Sequence, residues 1–148
     1  MLDETSAGAI IFRKESDTVL YLLLHYPSAS HRSKRDYWDF VKGHVEKGES
    51  ELDAVIREAK EETGINDLTF IDGFYATMKY FFRFEEELIF KVATFRLAQT
   101  QTETITLSGE HDDFIWLPYK EAHEMLSFKN AKAILERANN FLERSKEI

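Results

Sequence analysis

The chain has 148 residues, 43% of them hydrophobic and 14% aromatic, and a formal net charge of −8. This length and composition predict one globular domain spanning 1–148 and exclude a disordered chain. The negative charge disfavours long nucleic acid or an anionic membrane as a partner, because both bind basic surfaces. A small polyphosphate is compatible with that charge, since bound cations reverse the local field.

Cysteine is absent, so the fold contains neither a disulfide bond nor a thiolate metal site. The N-terminal residues show no basic region followed by an apolar run, and no apolar stretch is long enough to cross a bilayer. We therefore expect a cytoplasmic protein. The sequence carries no signal for a particular oligomeric state.

The first predicted elements are two strands, 7–13 and 19–26, joined by a turn at 15–17. The second strand is apolar at nearly every position, which predicts burial of both its faces. Further strands are predicted at 68–74, 77–84, 88–97 and 114–117, and two helices at 119–127 and 130–144. With a central helix at 51–63, this order predicts an α/β (α+β) fold in which helices cover both sides of a mixed sheet.

A polar loop at 27–37 contains a basic cluster, which consists of His31, Arg32, Lys34 and Arg35. One interpretation is an ordinary solvated loop, because loops are generally polar. The other is a phosphate-binding loop beside an acidic metal site. Both interpretations stay open at the level of sequence.

The central helix is bounded by clear capping signals. Ser50 is a favourable N-cap, Asp53 stands at the capping-box position, and Gly64 is suited to the left-handed residue that ends a helix. Helical periodicity gathers four apolar residues on one predicted packing face: Leu52, Val55, Ile56 and Ala59.

Three glutamates, Glu58, Glu61 and Glu62, are neighbours on another face of this helix, because their spacing is i, i+3 and i+4. Carboxylates this close repel one another and raise at least one pKa. A hard divalent cation removes that cost, since magnesium and manganese prefer oxygen ligands. The alternative is a solvated acidic helix face without a metal.

Residues 43–65 follow the pattern Gly-x5-Glu-x7-Arg-Glu-Ala-x-Glu-Glu-x-Gly-Ile. This pattern resembles the Nudix box, with the small Ala59 where the box usually has a bulky aliphatic residue. The resemblance implies an α/β/α sandwich and a pyrophosphohydrolase that cleaves a nucleoside diphosphate linked to another group. It also implies Mg²⁺ or Mn²⁺ as cofactor, held by the glutamates.

Within the box, we expect Glu58 and Glu62 to be the main metal ligands. Glu61 is either shared between metals or acts as a base. Arg57 is expected to support catalysis by bridging to Glu49 or Glu61, so that the glycine loop is held against the helix.

Four residues outside the helix are further candidates. Lys42 can meet a phosphate through its ammonium group, and by resemblance its backbone carbonyl is a metal ligand. Glu110 is either a catalytic or metal-binding acid or a surface carboxylate. Tyr80 either stacks on an adenine ring or packs in the core, and His44 either faces a phosphate or fills the loop.

Stretches such as 8–12, 42–46, 107–111 and 116–117 resemble the asymmetrical diadenosine tetraphosphate hydrolases, a Nudix subgroup. One departure is the acidic run 85–87, because this subgroup tends to have lysines there. The basic loop residues Arg32, Lys34 and Arg35 are candidates to replace those lysines in substrate binding.

These observations favour cleavage of diadenosine tetraphosphate to ATP and AMP. Alternatives are hydrolysis of ADP-ribose, a nucleoside triphosphate or a capped RNA end, and a Nudix module that senses a nucleotide without cleaving it. The intact glutamates argue against a sensor, since binding alone does not require them.

Overall fold

The computed structural model describes residues 2–28 and 35–146, so the predicted loop residues Arg32 and Lys34 lie outside the described part of the chain. The elements, in chain order, are β1 (Leu2–Glu15), β2 (Thr18–Tyr26), β3 (Tyr37–Asp39), β4 (Val41–His44), α1 (Glu51–Thr63), β5 (Thr69–Phe70), β6 (Ala76–Phe84), β7 (Glu87–Gln99), β8 (Asp113–Leu117), α2 (Tyr119–Met125) and α3 (Lys129–Lys146).

Strand β1 organises a mixed eight-stranded sheet within the described residues. It pairs with β7 in parallel, and with β2 and β4 in antiparallel orientation. Strand β7 also pairs with β5 and β6, and β2 with β3 and β8, all antiparallel. The long β1–β7 ladder therefore joins the two ends of the sheet.

Helices cover both faces of this sheet, as predicted. Because side chains alternate along a strand, Ala9 and Ile11 of β1 belong to the apolar cluster that contains Val55 of α1. Ile10 and Phe12 belong to the opposite cluster, which contains residues of α2 and α3. The sequence-based fold class, an α/β/α sandwich with a mixed sheet, is confirmed.

Helix α1 has the predicted bounds and caps. The Ser50 hydroxyl accepts a hydrogen bond from the Asp53 amide at 3.0 Å, and Gly64 ends the helix with a φ of 78°. In this left-handed conformation glycine avoids the clash that a Cβ would cause.

The predicted packing face of α1 was partly wrong. Leu52 and Ile56 are 39% and 46% exposed. The residues that face the sheet are Ala54, Val55, Ala59, Glu62 and Thr63. Small side chains on this face let α1 pack closely against β1 and β4. Because this face of the helix is the buried one, the Glu62 side chain points inward.

Two predicted strands have different extents in the structure. The predicted strand 68–74 is reduced to β5, because a turn with Gly73 at a φ of 91° follows it. Strand β1 begins at Leu2 instead of residue 7, because its first residues pair with β7. No helix in the described ranges is long and apolar enough to span a membrane.

Candidate active site

Arg57 joins the glycine loop to helix α1. Its Nε lies 2.7 Å from Glu49 Oε2, and its Nη2 lies 3.1 Å from Glu49 Oε1, so the pairing is bidentate. Nη2 also donates to the carbonyl oxygen of His44 at 3.0 Å. Hydrogen bonds from Arg57 and from the Glu46 amide keep the pKa of Glu49 below its ordinary value. The bridge that the sequence suggested between Arg57 and Glu49 is present.

The same guanidinium group contacts two of the three clustered glutamates. Arg57 Nη1 lies 2.7 Å from Glu58 Oε1 and 3.2 Å from Glu61 Oε2. The Glu61 side chain is 60% exposed, whereas that of Glu58 is 13% exposed. Glu61 therefore lies at the rim of the site, and Glu58 lies further inside.

Gly43 provides the space for the Glu58 carboxylate. A Cβ atom at residue 43 would lie 2.0 Å from Glu58 Cδ, which is far inside van der Waals contact. Only glycine therefore allows this carboxylate to lie directly against β4. The glycine loop and the helix glutamates are parts of one site.

Glu62 is the most deeply buried of the three glutamates. The residue is 3% exposed, and its Oε2 atom has no hydrogen-bond partner among the described residues. Burial first, and the nearby Glu58 and Glu110 carboxylates second, raise the pKa of Glu62 to about 9. Burial also raises the pKa of Glu58, although Arg57 acts in the opposite direction. Such buried, closely spaced carboxylates have the oxygen-donor chemistry that suits a hard divalent cation.

The loop before β8 brings two more candidate ligands to Glu62. Potential ligand atoms of Glu62, Glu110 and His111 all lie within 4.8 Å of one another. The Ser108 amide donates to the Glu62 carbonyl at 3.3 Å, which attaches this loop to the end of α1. Glu110 is exposed and His111 is buried, with its Nε2 3.8 Å from Glu62 Oε1. Sequence reasoning identified Glu110 and missed His111, although the two residues are adjacent.

A cleft of about 1470 Å³ connects these acids with the β6–β7 hairpin. Eight of the residues selected from the sequence line it: Lys42, His44, Arg57, Glu58, Glu61, Tyr80, Glu62 and Glu110. Arg35 is exposed and is absent from the described lining. Lining residues that sequence reasoning did not select include Ser6, Tyr37, Phe82, Lys91 and Phe128.

Lys42 contributes a fixed positive charge to the cleft. Its Nζ lies 3.0 Å from Asp39 Oδ2 and 5.9 Å from the centre of the Tyr37 ring. Burial lowers the pKa of Lys42, but the Asp39 carboxylate together with the hydroxyl groups of Tyr80 and Tyr37 outweighs it, so the pKa lies above its ordinary value. The ammonium group stays protonated at any physiological pH.

Aromatic rings form the wall near Lys42. Tyr37 stacks on Tyr26 with ring centroids 4.7 Å apart, and Phe128 lies 5.0 Å from Tyr37. Tyr80 lies on β6, whose alternation directs it to the cleft while Phe81, 58% exposed, points away. Tyr80 is therefore a half-buried cleft residue, in contrast to the alternative in which it packs in the core.

A family model for the NUDIX domain matches residues 3–137. The chain belongs to the NUDIX family. The mouse asymmetrical bis(5'-nucleosyl)-tetraphosphatase is 35% identical in an alignment that covers 93% of this chain and 94% of the mouse protein. The resemblance inferred from the box is thereby confirmed.

Solved NUDIX structures show the same architecture. A binary complex of the Caenorhabditis elegans Ap4A hydrolase superposes with a TM-score of 0.80 and 29% identity, covering 95% of this chain and 98% of that one. The NUDIX domain of Shewanella oneidensis NrtR, solved with ADP ribose, has a TM-score of 0.72 at 16% identity, covering 96% of this chain and 90% of that chain. The NrtR match supports the fold alone.

Proposed function

We propose that this protein, a Nudix pyrophosphohydrolase, hydrolyses diadenosine tetraphosphate to ATP and AMP with Mg²⁺ or Mn²⁺. The observation that carries the proposal is the meeting, in one cleft, of buried carboxylates, a permanent cation and aromatic rings. The nearly full-length similarity to asymmetrical tetraphosphatases supports this substrate. We also propose a cytoplasmic location, which suits a chain without cysteine.

Glu58 and Glu62 are the residues that would hold the divalent cation. The Oε2 of Glu62, which has no hydrogen-bond partner in the described part of the chain, and the space that Gly43 leaves for the Glu58 carboxylate both fit such an ion. Glu61, Glu110 and the Lys42 carbonyl are the additional ligands that we propose. When bound, the ion neutralises phosphate oxygens and lowers the pKa of a bound water.

The reaction is attack of water on a phosphorus atom, in line with the phosphate oxygen that leaves. Glu61 and Glu110 are the two candidates for the base that accepts the proton from that water. Arg57 contributes as a positioning residue, because its hydrogen bonds fix the carboxylates of Glu58 and Glu61. The Lys42 ammonium group, and His44 at the cleft rim, bind phosphate oxygens.

Tyr80 and Phe128 supply aromatic surfaces for the adenine rings. Both line the cleft. Stacking of a base on such a ring contributes about 1–3 kcal/mol and tolerates different bases. Nucleoside preference therefore depends on other contacts in the cleft.

The test is a substrate panel incubated with Mg²⁺ and analysed by product chromatography. It compares diadenosine tetraphosphate with ADP-ribose, a nucleoside triphosphate and a capped RNA. We expect ATP and AMP in equal amounts from the tetraphosphate, at the highest kcat/KM of the panel. A higher kcat/KM on another compound would favour the alternative substrate, and tight binding without cleavage of any compound would favour a sensor.

A further inference from the structure

Four strands lie side by side beneath the cleft, in the order β4, β1, β7 and β6. In this register Ser6 of β1 is paired with His44 of β4, and Lys91 of β7 is paired with Tyr80 of β6. All four residues line the cleft. The strip between the glycine loop and Tyr80 is therefore formed by β1 and β7, with Ser6 and Lys91 on its cleft side.

The width of this strip, measured from β4 to β6, is the distance that a phosphate chain would have to span. Neighbouring strands lie about 4.8 Å apart, so roughly 14 Å separates β4 from β6. Gly43 of β4 contacts the Glu58 carboxylate, and Tyr80 lies on β6. A substrate that is cut near Glu58 while its base stacks on Tyr80 would extend its phosphate chain along the cleft that Ser6 and Lys91 also line.

Ser6 has a feature typical of a ligand-binding group. The residue is 1% exposed, and its hydroxyl has no hydrogen-bond partner among the described residues. A buried hydroxyl without a partner costs about 1–3 kcal/mol. Ser6 is one of the residues that line the cleft, so a substrate bound there would be a partner for this hydroxyl.

Lys91 supplies a positive charge on the same strip. Its register neighbour on β1 is Glu4, whose Oε1 also lies 3.4 Å from His44 Nε2. An ammonium group has several N–H donors, so Lys91 can contact Glu4 and a phosphate at the same time. This charge lies on a strand, whereas the loop that follows β6 is acidic at Glu85 and Glu86.

We propose that Ser6 and Lys91 form a phosphate-binding subsite for the part of the polyphosphate chain between the cleaved bond and the stacked base. The proposal rests on the proposed function, because it assumes cleavage beside Glu58 and stacking on Tyr80. It identifies two specificity-determining residues that favour long phosphate chains. Each further phosphate over the strip adds an oxygen that Lys91 or Ser6 can bind.

The test compares Lys91→Met and Ser6→Ala with Lys79→Met as a matched control. Lys79 is an exposed lysine of β6 that points to the opposite face of the same hairpin. We expect Lys91→Met to raise KM for diadenosine tetraphosphate roughly tenfold or more, and Ser6→Ala about fivefold, at nearly unchanged kcat. Lys79→Met should leave KM unchanged.

Stability separates a binding role of Ser6 from a structural one. Ser6→Ala removes a buried hydroxyl that finds no partner within residues 2–28 and 35–146, so the Tm of the variant should equal or exceed that of the wild type. Weaker substrate binding in a protein of equal or greater stability supports the subsite. A lower Tm with unchanged KM overturns it.

Binding of inorganic tripolyphosphate, measured by calorimetry with Mg²⁺, tests the subsite without catalysis. We expect Lys91→Met to weaken this binding and Lys79→Met to preserve it. If the wild type cleaves no nucleotide but shows this pattern, the subsite stands and the proposed function fails. If the wild type cleaves the tetraphosphate and Lys91→Met changes neither KM nor tripolyphosphate affinity, the subsite fails.

Discussion

The carboxylate of Glu58 occupies the space in which a side chain at Gly43 would lie, with only 2.0 Å between Glu58 Cδ and a Cβ at residue 43. The glycine of the loop and the glutamate of the helix are therefore a matched pair, separated by fifteen positions in sequence. Any side chain at residue 43 must move that carboxylate or the strand beneath it.

Gly43→Ala should therefore reduce turnover nearly as strongly as loss of Glu58 itself. The physical reason is that the methyl group displaces the Glu58 carboxylate from the position where it would hold a metal. A double-mutant cycle with Glu58→Ala, measured as kcat/KM, checks this. The double variant should be no slower than Glu58→Ala alone, and fully additive losses would show that the two residues act separately.

Metal-free protein should become less stable as pH rises. The pKa of Glu62 is raised from 4.5 to about 9 by burial, so the folded state holds this proton more tightly than the unfolded state. That contribution to stability is complete below about pH 4.5 and is lost as pH rises towards about 9. Thermal unfolding in EDTA, measured across this range, should show the decline.

Glu62→Gln is the control for this pH dependence, because its amide does not titrate. The decrease in thermal stability between about pH 5 and 9 should be smaller in this variant than in the wild type. Mn²⁺ should stabilise the wild type more at pH 8.5 than at pH 6, since metal ligands must be deprotonated. If the unfolding temperature in EDTA decreased with pH equally in both proteins, Glu62 would not titrate as described.

Arg57→Lys should lower kcat, although the positive charge is kept. Lysine cannot reproduce the bidentate contact with Glu49 while also reaching Glu58 and Glu61. The expected loss is about tenfold or more in kcat, with a smaller change in KM. Steady-state kinetics check this. A lysine variant with the wild-type kcat would show that the hydrogen bonds of Arg57 do not contribute to turnover.

The basic loop yields a prediction about substrate choice. Replacing Arg32, Lys34 and Arg35 together should weaken binding of the tetraphosphate more than binding of a diphosphate sugar. The reason is that more phosphate charges are available to these cations in the longer chain. Competition binding with both ligands measures the difference, and equal effects would identify the loop as ordinary solvated surface.

The parts of the site that could be predicted from sequence are those encoded locally. The bounds of α1 follow from Ser50 and Gly64, which act within one turn of the helix. The proximity of Arg57 to Glu49 follows from the box spacing, because only Ser50 and the first turns of α1 separate the two residues. These features depend on residues that are close together in the chain, so they can be predicted from one sequence.

The features that were missed depend on tertiary packing. Ile56 is more hydrophobic than Ala59, yet Ala59 faces the sheet because its small side chain allows close approach. Ser6 and Lys91 meet the cleft through pairing between β1, β4, β6 and β7, which no local pattern reveals. The charge at residue 91 is flanked in sequence by the apolar Phe90 and Val92, so no local cluster of charges marks it.

The most direct measurement is the initial rate of diadenosine tetraphosphate hydrolysis as a function of Mg²⁺ concentration. It should compare the wild type with Glu58→Gln and Glu62→Gln, and with Glu121→Gln as an exposed control on α2 outside the described cleft lining. Mg²⁺-dependent cleavage to ATP and AMP by the wild type and the control, slowed by orders of magnitude in folded Glu58→Gln and Glu62→Gln, is the predicted result. Unchanged turnover in both of those variants would contradict the assignment of the metal site.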